Sequence, residues 1–396
     1  MLSLLASLLS LLVLAVVLQD AFEVMLLPRR VQRRVRMARV FFRWAWVGWA
    51  ATARLLPDNS RRIRFLGTFG PLSMMVLFGC WAAMLIIGFG TLSWALQGRP
   101  QHISPLGEQL YMSGVTFFTV GYGDVAPHNA ATRALAVVEG GTGLGFIAIV
   151  IGYLPVLYQL FARREAHVIQ LDGRAGSPPT AVGMIILHAE LDGLAELDTL
   201  LREWEIWAAE LLESHLSYPM LVYYRSQHDD QSWLAAMTAV MDACALILVG
   251  VGEMRPLQAR MTFTMIRQVV VEISRALWIS PSPFEGGDRL PRTGFEDMLS
   301  GFAESGLKWT GGPDAEEVLH ALRATYEPLL DGLSRRLLLP LPPWLPRAEA
   351  AGHWQGGHRG LIASRLVAQL AATRDAPAAD AAAARFGTRV RSRLRR

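Results

Sequence analysis

Three stretches of this chain are apolar over a length that only a lipid bilayer or a very deep core accommodates. Residues 1–18 precede the first charge at Asp20, residues 65–98 carry none between Arg64 and Arg99, and residues 134–162 carry one, Glu139. A hydrocarbon core takes about 20 helical residues to cross. Lipid offers no partner to backbone N–H and C=O groups, so each stretch is expected to be a helix, with residues 71–96 as the second span. The composition agrees: 52% hydrophobic and 18% charged residues over 396 positions, with a mean hydropathy of +0.29, are too apolar for soluble domains of that length. The two cysteines, Cys80 and Cys244, exclude a disulfide framework and a paired-cysteine zinc site.

Charge placement orients the spans. Residues 29–64 hold eleven arginines against one acid, Asp58, whereas residues 163–396 hold 25 basic and 28 acidic residues. The arginine segment, and Arg163-Arg164 after the third span, belong in the cytoplasm by the positive-inside rule. That predicts three crossings, with the N-terminus outside and the C-terminus inside, in the plasma or inner membrane. Nucleic-acid binding by the acidic C-terminal part is disfavoured. A cleaved signal peptide competes for residues 1–18, but no basic region precedes the apolar run, so a retained helix is expected. Arg30, Arg33, Arg36 and Arg39 recur every third residue, as in a voltage sensor. With one span before them and no acidic partner helices, residues 29–43 instead predict an amphipathic helix on the inner leaflet. Val31, Val35, Ala38 and Phe42 form its apolar face, and Trp44, Trp46 and Trp49 anchor its end.

Between the second and third spans, Ser104-Pro105 marks a helix start for residues 106–118. Thr119, Val120, Gly121, Tyr122, Gly123 and Asp124 follow. This segment resembles the selectivity filter of the potassium channel family, whose signature Thr-Val-Gly-Tyr-Gly-Asp follows a pore helix; all six residues match, and the likeness in pore architecture covers residues 71–164. The chemistry is independent of the resemblance. Replacing the water around a potassium ion takes a column of carbonyl oxygens, and successive carbonyls point one way only if the strand alternates between right- and left-handed conformations. Glycine adopts the left-handed form at little cost, which suits Gly121 and Gly123. The carbonyls of Thr119, Val120, Gly121 and Tyr122, with the Thr119 hydroxyl, are the expected K+ ligands, and Val120 and Tyr122 are expected to brace against the pore helix. That helix aims its partly negative end at the cavity, and Asp124 forms an anionic ring at the mouth. One filter strand cannot surround an ion, so a homotetramer in membrane lipid is implied.

The chain departs from the family pattern at four places. Phe118 stands where a threonine is common below the filter, and Val115 where some bacterial members have a glutamate, leaving Asp124 without that carboxylate. Tyr111 and Met112 stand where paired tryptophans are frequent, which predicts weaker bracing. In the third span, Gly140, Gly141, Gly143 and Gly145 soften the helix. By its distance from the filter, Gly143 falls on the family's gating hinge, although close packing by small residues explains it equally well. Ile151 and Pro155 are expected at the inner constriction, where Pro155 removes a helix hydrogen bond. Gly141-Thr142-Gly143 is no nucleotide fingerprint, because no strand precedes it. Glu139 is a candidate modulatory residue, expected behind the filter and hydrogen-bonded to the pore helix.

Beyond residue 165 the pattern is helical: Leu194, Leu197, Leu201, Trp204, Ala208, Leu211 and Leu212 recur at three and four. Ser177-Pro178-Pro179 and residues 338–346 read as linkers. Residues 232–249 read as a buried core helix, with a fourth span as the alternative. A strand over residues 245–252, ending Gly250-Val251-Gly252, is a weak Rossmann-like signal without its third glycine. His228-Asp229-Asp230 reads as a solvated loop, not a metal site. The tail from Ala376 is expected to be disordered or to rest on anionic lipid.

The resulting expectation is an all-α membrane protein: a two-helix pore module with a re-entrant loop, an extra N-terminal transmembrane helix and a mostly helical cytoplasmic domain. Its parts are residues 1–28, the arginine-rich segment 29–64, the pore domain 65–164, the cytoplasmic domain 165–375 and the tail 376–396. The expected function is passive, potassium-selective conduction gated by the inner helix, with no catalytic residues, no cofactor beyond the permeant ion, and an unidentified cytoplasmic ligand. A non-selective cation channel, and a membrane anchor for a signalling domain, are the alternatives.

Overall fold

The structure is a computed structural model that describes residues 2–26, 37–97, 104–176, 178–226, 231–280 and 287–346. Five helices make up the N-terminal half: α1 (Leu2–Met25), α2 (Met37–Arg54), α3 (Ser60–Leu96), α4 (Leu106–Phe117) and α5 (Ala130–Ala175). Of these, α1, α3 and α5 are long and apolar enough to cross a membrane. The protein is an all-α membrane protein, and among the described residues its one β feature is an isolated bridge between Val251 and Trp309.

Helix α1 lies along α3, with Ser10 Oγ 2.7 Å from Thr91 Oγ1. At its far end, buried Asp20 accepts hydrogen bonds from the Ala38 N–H at 3.0 Å and the Trp81 indole at 3.2 Å. One carboxylate thus joins α1, the first turn of α2 and α3.

Helix α2 is amphipathic, but not as expected. The predicted apolar positions Val31 and Val35 lie outside the described residues, and the helix runs from Met37 to Arg54 with Ala38, Phe42, Trp46, Ala50 and Ala53 buried. Trp46 is no membrane anchor: its indole donates to the Arg336 carbonyl at 2.7 Å. Trp49 stacks on Phe65 with ring centroids 4.4 Å apart, so of the three tryptophans Trp44 alone is largely exposed. Tertiary partners have claimed the other two rings.

Both long pore-flanking helices overrun their predicted limits. Asn59 caps α3 by accepting from the Arg61 N–H at 3.0 Å, so the helix begins inside the arginine segment, ahead of residues 65 and 71. Helix α5, capped by Asn129 and Thr132, continues for 46 residues, about 69 Å at 1.5 Å per residue. The expected boundary at residues 164/165 therefore falls within a helix. Leu157, Phe161, Arg164, Val168, Leu171 and Ala175 remain buried along one side, so the helical period persists where the composition changes.

The C-terminal domain comprises α6 (Ala181–Glu190), α7 (Leu194–Ser217), a 3-10 turn (Pro219–Tyr223), α8 (Trp233–Val249), α9 (Pro256–Ala276), α10 (Arg292–Glu304), α11 (Ala315–Ala324) and α12 (Glu327–Leu337). Helix α8 is a core helix, not a fourth span: at 17 residues it is short for a bilayer, and Trp233 through Ile247 are buried by protein. Asp242 within it accepts from Arg289 at 2.5 Å and from the Tyr326 hydroxyl at 2.7 Å. The strand reading of residues 245–252 is overturned, because its first half is the last turn of α8.

Residues 338–346 are not a free linker either. Trp344 is fully buried, its carbonyl accepts from the Val182 N–H at 3.1 Å, and Arg289 and Arg323 lie over its ring at 5.6 and 5.3 Å. The segment closes the domain core. His228-Asp229-Asp230 and the tail from Ala376 lie outside the described residues.

Candidate functional site

Helix α4 sits between α3 and α5. Gln109, Met112, Ser113 and Phe117 are its buried side, and Ser93 of α3 donates to Gln109 Oε1 at 2.7 Å. Past Phe117 the chain peels off while staying tied to the helix end. The N–H groups of Phe118, Thr119 and Val120 donate to the carbonyls of Gly114, Thr116 and Val115 at 3.1, 3.0 and 2.9 Å.

The filter segment has the alternation that its chemistry demands. Thr119, Gly121 and Gly123 have φ of 56°, 63° and 76°, whereas Val120 and Tyr122 between them do not take positive values. Among the described residues, none of the carbonyls of Thr119, Val120, Gly121 and Tyr122 accepts a backbone hydrogen bond. They are an uncommitted row of oxygens. Thr119 was not expected to share the left-handed conformation. A β-branched residue there costs roughly 1–2 kcal/mol, which its bond to Thr116 helps to offset.

Val120 and Tyr122 do not brace against their own pore helix; they are 50% and 71% exposed. Tyr111, where weaker bracing was expected, makes a tie of its own: its hydroxyl donates to Asp124 at 2.9 Å, joining the last residue of the motif to the middle of α4. Asp124 thus has a phenol where some relatives have a carboxylate. The thirteen-residue separation of the pair gave no local signal.

Glu139 lies where expected, buried behind α4, where Ser113 Oγ is hydrogen-bonded to its carboxyl group. Ser113 Oγ also reaches the Ile86 carbonyl at 2.8 Å, so the cluster joins α3, α4 and α5. Glu139→Gln keeps an acceptor and a donor in this cluster and is expected to leave thermal stability near wild type. Glu139→Leu orphans the cluster and should cost about 1–3 kcal/mol in a denaturation midpoint; equal loss in both variants would show that the charge, not the hydrogen bonding, matters.

The residues expected at the gate separate. Ile151 and Pro155 belong to a stripe with Gly141, Leu144 and Ala148 that faces away from the chain's own core. Gly143 is off that stripe and buried, where an added methyl would overlap the Phe117 carbonyl. Its position is the contact between α5 and the end of α4.

At the foot of α5, buried Arg164 donates to Glu165 Oε1 at 2.9 and 3.0 Å, to the Leu221 carbonyl at 2.9 Å and to the Tyr224 carbonyl at 2.7 Å. Tyr223 of the same 3-10 turn packs on Phe42, Trp46 and Phe69. One turn of the C-terminal domain therefore touches α2, α3 and α5 together.

The family model described as ion channel matches residues 74–159, from the middle of α3 to the stripe on α5. A voltage-gated potassium channel of Aeropyrum pernix is 26% identical over 104 residues, 26% of this chain and 32% of that protein. Residues 74–159 are therefore similar to an ion-channel pore, and part of the chain is similar to a potassium channel. The uncharacterized membrane protein YdjJ of Bacillus subtilis is 22% identical over 218 residues, 53% of this chain and 61% of that protein. The matches thus span less than two thirds of either relative, and no solved structure matches the chain. The filter-like segment, the Tyr111–Asp124 pair and the Glu139 cluster all lie within the matched residues.

Proposed function

We propose that the protein conducts potassium ions passively and selectively across the plasma or inner membrane as a homotetramer, and performs no catalysis. The carrying observation is the alternating backbone of Thr119, Val120, Gly121, Tyr122 and Gly123, whose carbonyls are left without backbone partners. Four such strands around an axis supply the oxygen cage that a dehydrated potassium ion needs. Exposure of Phe118, Val120 and Tyr122 in the single chain supports the tetramer, since apolar and aromatic groups beside the filter call for cover by a neighbouring copy. The Aeropyrum relative supports potassium as the ion. The arginine-rich segment before α3 supports an inner-side foot for α3 and a cytoplasmic C-terminal domain.

In this reading Asp124 concentrates cations at the outer mouth, Ile151 and Pro155 line the inner passage, and Gly143 holds α5 against the filter's base. The test is flux into liposomes carrying the purified protein. Potassium should exceed sodium by at least about tenfold in the wild type, and Tyr122→Ala should remove most of that ratio by taking away the ring that packs on the neighbouring copy in the tetramer. Equal entry of both ions in the wild type would defeat the potassium-selective reading in favour of a non-selective pore.

A further inference from the structure

A cavity of about 450 Å³ lies between the foot of α3 and the C-terminal domain. Its walls include Arg62 from α3, and Arg225, Ser226, Gln231 and Ser232 from the segment between the 3-10 turn and α8. Burial first, and the charge of Arg62 on the same cavity second, hold the pKa of Arg225 down to about 10. Like charges sharing one cavity call for a counter-ion.

The neighbours neutralise this charge poorly. Arg225 donates at 2.7 Å to the carbonyls of Leu337 and Leu338, which are neutral, and among the described residues it has no carboxylate partner. Arg62 pairs with Asp58 at 3.2 Å, but the Asp58 side chain is 87% exposed on the rim, where water screens the pair. Of the other polar wall groups, Ser232 and Ser334 have partners and, among the described residues, Ser226 has none. Ser226 Oγ is a buried hydroxyl; groups so placed are nearly always satisfied, and it can donate to an anion. Ser232 is the N-cap of the 17-residue α8, so that helix contributes its positive end to the same wall. Two arginine forks, a hydroxyl and a helix N-terminus together match the oxygens of a phosphate group. The volume is within the range of small-ligand sites.

We propose that this cavity binds a phosphate-bearing anion, which bridges Arg62 at the foot of the outer pore helix to Arg225 of the C-terminal domain. The anion is either a soluble phosphate compound or the headgroup of an acidic lipid. Either source locks α3 to α8 and α12 and so adds a contact between the pore and the domain that moves with it.

The test uses the full-length protein in nanodiscs and reads thermal stability, which does not depend on conduction, so it stands or falls separately from the potassium reading. Inorganic phosphate is titrated in phosphatidylcholine discs, and phosphatidylglycerol replaces phosphatidylcholine in a second set. A rise in melting temperature with phosphate assigns a soluble ligand, and a rise with phosphatidylglycerol alone assigns a lipid. Arg62→Gln should weaken the effect at least about tenfold in half-saturating concentration, while Arg62→Lys retains part of it. Arg61→Gln makes the same change of charge one residue away, outside the cavity, and should behave as wild type. Arg225→Gln removes the α12 contacts as well, so Arg62 is the deciding position. The proposal is overturned by no response to either anion, by equal loss in Arg61→Gln and Arg62→Gln, or by the same rise with sodium chloride at matched ionic strength.

Discussion

Gly143→Ala is expected to reduce potassium flux by more than about tenfold, while Gly141→Ala and Gly145→Ala leave it near wild type. A methyl at 143 meets the carbonyl, carbonyl carbon and Cα of Phe117, which are backbone atoms and cannot rotate aside. Helix α5 must then move away from the end of α4, or the end of α4 must move, and Phe118 and Thr119 follow directly. The base of the filter shifts with them. Nothing lies within 4 Å of a methyl at 141 or 145 in the single chain, and alanine there favours the helix by about 1 kcal/mol. The hinge reading predicts something else: a stiffened α5 that opens less often but keeps its potassium-to-sodium ratio. A variant that loses flux and ratio together supports close packing; one that loses flux with the ratio intact supports the hinge. Wild-type flux in Gly143→Ala would remove both.

The contrast between these glycines shows what the sequence could and could not disclose. The spans were legible because lipid imposes a length and a polarity on every crossing, and the alternating segment because its conformation is carried by consecutive backbone positions. Thr119, Gly121 and Gly123 need no distant partner to be recognised, although the left-handed conformation of Thr119 is set by the end of α4 and was not foreseen. Long-range pairs left no such trace. Tyr111 and Asp124 are brought together by the path of the pore helix, and Gly143 differs from Gly141 only in facing Phe117. Prolines at 340, 342, 343 and 346 suggest a linker, yet two arginines, at 289 and 323, receive Trp344 and draw that segment into the core. The overrun of α5 was hidden for a related reason: the polar residues after 162 mark the exit from the apolar stretch, whereas the helix is held by packing against the C-terminal domain.

That packing makes Arg164→Met the substitution with the largest expected effect outside the pore. It removes hydrogen bonds to Glu165, Leu221 and Tyr224 and leaves a nearly buried carboxylate and two carbonyls unpaired, a loss of about 3–5 kcal/mol. The denaturation midpoint of the full-length protein should fall accordingly. His215 reports on the same joint from the other side. It is buried with Nε2 3.5 Å from Arg164, and burial first, then the Arg164 charge, hold its pKa down to about 3. The unfolded chain binds that proton near 6.5 and the folded chain does not, so the stability tied to His215 is complete above pH 6.5 and declines as the pH falls toward 3. The difference in unfolding free energy between wild type and His215→Gln should therefore change by about 1.4 kcal/mol per pH unit below 6.5, to the disadvantage of wild type. Taking that difference cancels Asp242, which burial raises to about 6 and which pulls in the opposite direction over part of the window. In Arg164→Met the slope should persist over a narrower range, because burial remains while the neighbouring charge is gone. A pH-independent difference would mean that His215 titrates alike in the folded and unfolded chain, and the foot of α5 would then be open to water instead of clamped to the C-terminal domain.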